Sequence, residues 1–342
     1  MRLRFASLVF TLLILMGSAA TVFAQATPEA DAPELGYEFP AGSFPGMYGE
    51  VALPENPTRI VTITDGALDL VIALGLQPVG YTISSNGTGP ADYLADKVDP
   101  SVETVGGWGE VDGGIDVEAV ALLNPDLVLA DRYVDYPEGT YDLLVAAGIT
   151  VIVTGEIEVA GADSLQQWEY EALGWAHALG KYDEALELIE AARERGAGIK
   201  ASLGDAAGQS VVVFRPQSDF PVIMSHLWIT GVVLTWCGFV GNELTADMPP
   251  PHSGRGVSLE QLDMLDADWL LAAARDESMQ AALQQYLDMP IFNQLAAVQN
   301  NHVVLVDGAL WSGATGILAS HAMMDEIETI FVTKTATPVA TS

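Results

Sequence analysis

The chain is 342 residues long, 50% hydrophobic, and carries 46 acidic against 13 basic side chains, for a formal charge of −33. A field of that sign repels phosphate backbones and excludes nucleic-acid binding through net charge. The length allows two domains, and beyond the N-terminal segment no apolar run would span a bilayer.

Residues 1–24 have the form of a secretory signal: Arg2 and Arg4, an apolar core from Leu8 to Met16, and the small-residue pattern Val22-Phe23-Ala24 before Gln25. No cysteine adjoins that site, so a lipid anchor on the mature N-terminus is not expected, and the chain is read as periplasmic or secreted. The one cysteine, Cys237, lies in an apolar context that suits a buried thiol better than a nucleophile. Residues 25–40, rich in Ala, Pro and Glu, read as a loose leader. Residues 41–162 then alternate as an α/β lobe. Tyr48–Leu53 and the β-branched Arg59–Thr64 read as strands, and Ala67–Leu74 as a helix closed by Gly75. Strand Val79–Ile83 and a polar loop from Ser84 to Pro90 follow, with helix Tyr141–Ala147 and strand Ile149–Thr154 further on. That rhythm argues a mostly parallel sheet flanked by helices.

Residues 163–202 break the rhythm and read as connecting helices. Leu165, Trp168, Ala172, Trp175, Ala176 and Leu179 keep helical spacing after an expected cap at Asp163. Past Gly180 a second helix is expected from Asp183 to Lys200, with Ala185, Leu186, Ile189 and Ala192 inward and Glu184, Glu187, Glu190 and Arg193 on a solvated face. Residues 203–332 resume as a second α/β lobe, with strand Ser210–Phe214, a helix near Val232–Cys237, strand Val303–Val306 and a helix over Thr315–Phe331. Residues 333–342 read as a disordered tail.

One segment occurs twice. Gly114–Ala130 (GIDVEAVALLNPDLVLA) and Gly256–Ala272 (GVSLEQLDMLDADWLLA) align without a gap and share Gly114/Gly256, Glu118/Glu260, Leu123/Leu265, Asp126/Asp268, Leu129/Leu271 and Ala130/Ala272. In each copy Asp116 or Ser258 caps a short amphipathic helix, a turn follows, and an apolar run reads as a buried strand. A helix–strand unit used once per half predicts two similar α/β lobes.

Ligands of open parallel sheets sit beyond the carboxyl ends of the strands. Those positions are Thr64, Asp65, Ser84, Ser85, Arg132 and Tyr133 in the first lobe, and Arg215, Arg275 and Asp307–Trp311 in the second. Three arginines at strand ends, in a chain so poor in cations, suit an oxygen-rich anionic ligand; pairing with local acids is the alternative. Trp108, Tyr133, Trp228 and Trp311 are candidates for the walls of a mostly apolar pocket, although aromatics more often belong to cores. No nucleophile elbow, phosphate loop or dinucleotide fingerprint is present. The five histidines are dispersed, so no metal site is assigned; a zinc site would need His226 and His252 to converge with an acid.

The series Pro57-Thr58-Arg59-Ile60-Val61, Ala73-Leu74-Gly75, Asp116-Val117-Glu118 and Asn124-Pro125-Asp126-Leu127-Val128 resembles the periplasmic substrate-binding proteins of ABC importers for iron–siderophore, haem and cobalamin. Ser258-Leu259-Glu260-Gln261-Leu262 and Asn301-His302-Val303-Val304-Leu305-Val306 agree with it. The resemblance implies two Rossmann-like lobes joined by a long rigid helix, with the ligand in the cleft between them and no catalysis. Within that family the expected cargo is a ferric siderophore, with iron present only as part of the chelate and no cofactor, and the chain is expected to be a monomer that docks on an ABC permease. The resemblance also implies that Glu118 and Glu260, one per lobe, meet permease arginines; a helix-dipole role is the alternative for both. Haem or cobalamin in the same fold is the second expectation, with Tyr133 or His226 as axial ligand for haem. A secreted zinc- or manganese-binding protein or an enzyme is the expectation from another class. Thr64-Asp65-Gly66 departs from the family's usual Ser/Pro-rich turn, which would bring Asp65 into the cleft and alter selectivity.

Overall fold

The computed structural model describes residues 36–84, 87, 89–107, 113–135, 138–155, 165–241 and 254–333. The proposed signal and most of the leader therefore lie outside the described residues, as do Ser85, Trp108, Asp163, His252 and the tail beyond Thr333. The segment just before the first strand, however, is not loose. Tyr37 donates its N–H to Tyr182 Oη at 2.7 Å, and Phe39 is buried against Phe44 and Tyr170. Aromatic burial outweighs the Pro- and Ala-rich composition there.

A small antiparallel hairpin, β1 (Ser43–Gly46) and β2 (Gly49–Ala52), stands apart from the first sheet. That lobe then runs β3 (Ile60–Thr62), α1 (Asp65–Ala73), β4 (Gly80–Ile83), β5 (Glu103–Gly107), α2 (Val117–Leu122), β6 (Leu127–Asp131), α3 (Thr140–Ala146) and β7 (Val151–Thr154). Its sheet is wholly parallel, in the order β5-β4-β3-β6-β7. Two helices follow, α4 (Gln167–Ala178) and α5 (Tyr182–Ser202), with Gly180 at φ +65° between them.

The second lobe runs β8 (Val211–Pro216), β9 (Pro221–Met224), α6 (Ile229–Trp236), β10 (Gly254–Gly256), β11 (Trp269–Ala274), α7 (Glu277–Leu287), α8 (Ala296–Gln299), β12 (Val303–Asp307), α9 (Gly308–Gly313) and α10 (Ile317–Ile327). Its order, β10-β9-β8-β11-β12, repeats that of the first sheet. One difference stands out: β8 turns straight back into β9 as a hairpin, so β9 and β10 are antiparallel to their neighbours.

The two copies of the repeat occupy the same place in the two sheets, ending in β6 and β11, each next to the first strand of its lobe. The shared aspartates explain why. Asp126 Oδ2 accepts the N–H of Thr58 and Arg59 at 2.8 and 2.9 Å, and Asp268 Oδ2 accepts the Ser210 N–H at 2.7 Å. Each carboxylate thus fixes the start of its neighbouring first strand. The shared Leu and Ala alternate across the pleat: Leu129 and Leu271 face the core between the sheets, whereas Ala130 and Ala272 face outer cores. The helices of the repeat are less alike. The first copy forms α2, but the second is a 3-10 turn over Leu259–Leu265 broken at Gln261.

That shared core runs from the inner face of one sheet to the inner face of the other through α1, α4, α5, α6, α9 and α10. Trp175 of α4 donates its indole N–H to Ala130 O at 3.0 Å, tying α4 to the first lobe. Arg195 of α5 bonds Asp325 on α10 and Glu328 just past it, at 2.5 and 2.7 Å, tying α5 to the second. The joint between them corrects an expectation. Arg193 is not on a solvated face: it forms a two-pronged pair with Glu169, at 2.9 and 2.6 Å, and Glu169 has no exposed surface.

Candidate functional site

A cleft of about 220 Å³ opens where the carboxyl ends of the strands of both lobes meet. Its first wall is set by Thr64, whose Oγ1 caps α1 by accepting the Ala67 N–H at 3.2 Å. This makes Asp65 the first helical residue and places Gly66 against the other lobe, where an added Cβ would lie 2.6 Å from Thr315 Oγ1. Ser84 donates its hydroxyl to Asp65 Oδ2 at 2.9 Å. At the end of β6, Asp131 Oδ1 accepts the Tyr133 N–H at 2.8 Å, which bends the chain and raises Tyr133 at the mouth, 43% exposed. Arg132 stands beside the cleft with its guanidinium 4.8 Å from the centre of the Tyr133 ring.

Burial dominates the ionisation of this wall. It pushes Asp65 up to about 6 against the Ser84 hydroxyl and the Arg275 charge, and Asp131 up to about 6, with Asp65 adding to the rise. Glu171 of α4, behind Asp131, is pushed up to about 8 by burial and then by Asp131 itself. Burial works against the charge of Arg132, but Tyr133, Glu171 and Asp131 outweigh it and raise its pKa.

The opposite wall is cationic. Arg275, just past β11, donates from Nε to Ser312 Oγ at 3.2 Å and from a terminal nitrogen to Ser312 O at 2.9 Å, so the end of α9 orients its planar face. Arg215, from β8, lies close enough for the Arg275 charge to lower its pKa further, after burial. Arg215 Nε and the Trp228 indole N–H are two of six buried side-chain polar atoms without a hydrogen-bond partner among the described residues, and the two that belong to residues lining the cleft. Neither Arg215 nor Arg275 forms an ion pair with a described residue, although the chain has 46 acids. Asp276, Asp307 and Asp65 nonetheless act on the Arg275 charge from a distance and oppose the lowering that burial causes. Unfilled donors in a desolvated site are costly unless a ligand fills them.

Of the residues singled out in the sequence, Asp65, Tyr133, Arg215, Trp228 and Arg275 line this cleft, and Arg132 adjoins it. Trp311 does not: it is fully buried in the core, with its indole N–H bonded to Glu326 at 2.7 Å. The segment after β12, expected to be an open strand end, is instead the helix α9, which Asp307 caps and which turns Trp311 inward. Trp108 lies outside the described residues. His226 lines a separate space beside β8 and β9. No three His, Cys, Asp or Glu side chains gather as a metal site among the described residues. Glu118 and Glu260 are both exposed, and neither has a hydrogen bond or ion pair among the described residues.

Sequence reasoning missed Asp131, Glu171, Ser312 and Thr315. Asp131 carried a signal, since it is itself the last residue of a strand; the others depend on helix packing that periodicity does not order.

Comparison with known proteins agrees with this architecture. The family description "periplasmic binding protein" matches residues 60–310. The chain is 29% identical over 289 residues to a probable siderophore-binding lipoprotein, YfiY, of Bacillus subtilis, covering 82% of this chain and 84% of that one. It is 27% identical over 295 residues to the achromobactin-binding periplasmic protein of Dickeya dadantii, covering 82% and 89%. Among solved structures, Staphylococcus aureus SirA complexed with staphyloferrin B superposes with a TM-score of 0.69 at 22% identity, covering 84% of this chain and 97% of that one.

Proposed function

The chain belongs to the periplasmic binding protein family, and from that premise we propose that it captures a ferric siderophore outside the cytoplasm and passes it to an ABC permease without chemical change. The observation that carries this is the pair Arg215 and Arg275, unpaired with any described acid beside the unfilled N–H of Trp228. Such a wall suits the oxygen-rich surface of an iron chelate, with the guanidinium planes meeting carboxylate or catecholate oxygens. Relatives named for siderophore, achromobactin and ferric citrate support the same class of cargo. Glu118 and Glu260, exposed and unpartnered, are the proposed docking points for the permease.

The test is a titration of intrinsic tryptophan fluorescence with a panel of ferric siderophores, haem and cobalamin. At least one ferric chelate should bind, and Arg215→Ala should weaken it by about tenfold or more. Binding of haem alone, or an Arg215→Ala variant with unchanged affinity for the best chelate, would defeat the proposal.

A further inference from the structure

The two walls of the cleft are unlike in a way that bears on which chelate fits. The first offers acceptors. Asp65 is held to its own lobe through Oδ2 and Asp131 through Oδ1, and the second oxygen of each accepts nothing from the described residues. The opposite wall carries the guanidinium groups of Arg215 and Arg275, neither of them in an ion pair with a described residue, and the Trp228 indole beside them. No ion pair joins the walls among the described residues, even though Asp65 and Arg275 lie close enough to act on each other electrostatically. Carboxyls thus line one side of the cleft and guanidinium groups the other.

A ligand that is anionic over its whole surface would satisfy the arginines but press like charge against two carboxyls, a mismatch that disfavours binding strongly in a desolvated cleft. We propose that the cleft selects a dipolar chelate, whose anionic oxygens meet Arg215 and Arg275 while a protonated amine on the same molecule sits between Asp65 and Asp131. This rests on the siderophore reading and narrows it to chelates that keep a free amine beside the iron-binding groups.

The experiment compares two ferric probes: a citrate-based chelator bearing one primary amine, and the same chelator with that amine acetylated. Wild-type protein should bind the amine form about tenfold tighter or better. The double variant Asp65→Asn with Asp131→Asn should lose that preference, its affinities for the two probes converging to within about twofold, with a wild-type circular-dichroism spectrum showing that it folds. Equal binding of the two probes by wild type, or a preference that survives in the double variant, overturns the dipolar inference alone. Failure of wild type to bind the amine probe while another ferric chelate of the panel binds overturns the dipolar inference alone, and failure to bind any ferric chelate overturns it together with the siderophore reading.

Discussion

Asp69 offers the sharpest test of how the lobes are held together. It lies on α1 of the first lobe, with no exposed surface, and its two oxygens accept the N–H of Leu318 at 3.0 Å and of Ala319 at 2.9 Å. Those donors open α10 of the second lobe, so a side chain from one lobe caps a helix of the other. The cap needs the backbone to come very close: Gly316 sits at φ +130°, and a Cβ there would lie 2.3 Å from Asp69 Cγ. Asp69→Ala leaves two buried donors unfilled, at about 1–3 kcal/mol each. Partial relaxation and water entry bring the net loss to about 2–4 kcal/mol, a large share of a typical folding stability of about 5–15 kcal/mol. Urea denaturation followed by tryptophan fluorescence reads the change directly, as a fall in midpoint at unchanged slope. Asp69→Asn keeps one acceptor and should lose about half as much. An alanine variant within about 0.5 kcal/mol of wild type would refute the capping argument, because ordinary surface substitutions already fall in that range.

Arg193→Met should destabilise the chain by about 3 kcal/mol, since it strands the buried Glu169 carboxylate at the joint of α4 and α5; a loss below about 1 kcal/mol in the same denaturation assay would contradict this. Burial lifts Asp65 and Asp131 to about 6, Asp69 to about 7 and Glu171 to about 8, all above the values near 4 that such groups have in unfolded chains. A carboxyl raised on folding contributes stability that is complete below its unfolded value and disappears as pH climbs through its folded value, so the melting temperature should be higher at pH 5 than at pH 8. A melting temperature equal at the two pH values, or higher at pH 8, would show that these groups are not raised. Replacing Glu118 and Glu260 together with alanine should leave chelate affinity unchanged while abolishing uptake by cells that depend on this protein; a matching drop in affinity would place the pair in the binding site instead.

The parts of the fold that were legible are those fixed by local pattern. The repeat could be read because its function is local to each lobe. Asp126 and Asp268 bond backbone within their own sheet, and Leu129 and Leu271 alternate with Ala130 and Ala272 in the way a two-faced strand demands. The helix after the second Gly-Val-Ser-Leu-Glu was less legible. It carries the same spacing as α2 but is a 3-10 turn broken at Gln261, a difference that apolar spacing does not distinguish. Arg193 failed for a related reason. Helical spacing puts it between Glu190 and Arg195, on the margin of the solvated stripe, and only the position of α4 shows that a buried carboxylate waits there.

The site was legible to the extent that it follows from strand ends. Asp65, Tyr133, Arg215 and Arg275 all come from that single rule, and Asp131 would have come from it too. What the rule does not provide is which side chains on neighbouring helices close the cleft, and which strand ends run on into a helix. Trp311 shows the second failure. Asp307 was read as a strand-end residue exposed to ligand, whereas its carboxylate accepts the N–H groups of Ala309 and Leu310 at 2.8 and 3.3 Å. That cap starts α9, which sends Trp311 into the core and delivers Ser312 to Arg275 in its place. One capping aspartate thus removes an aromatic from the wall and supplies the group that orients a guanidinium. Ser312 in turn sets how Arg275 meets the cleft that Asp65 lines from the other wall.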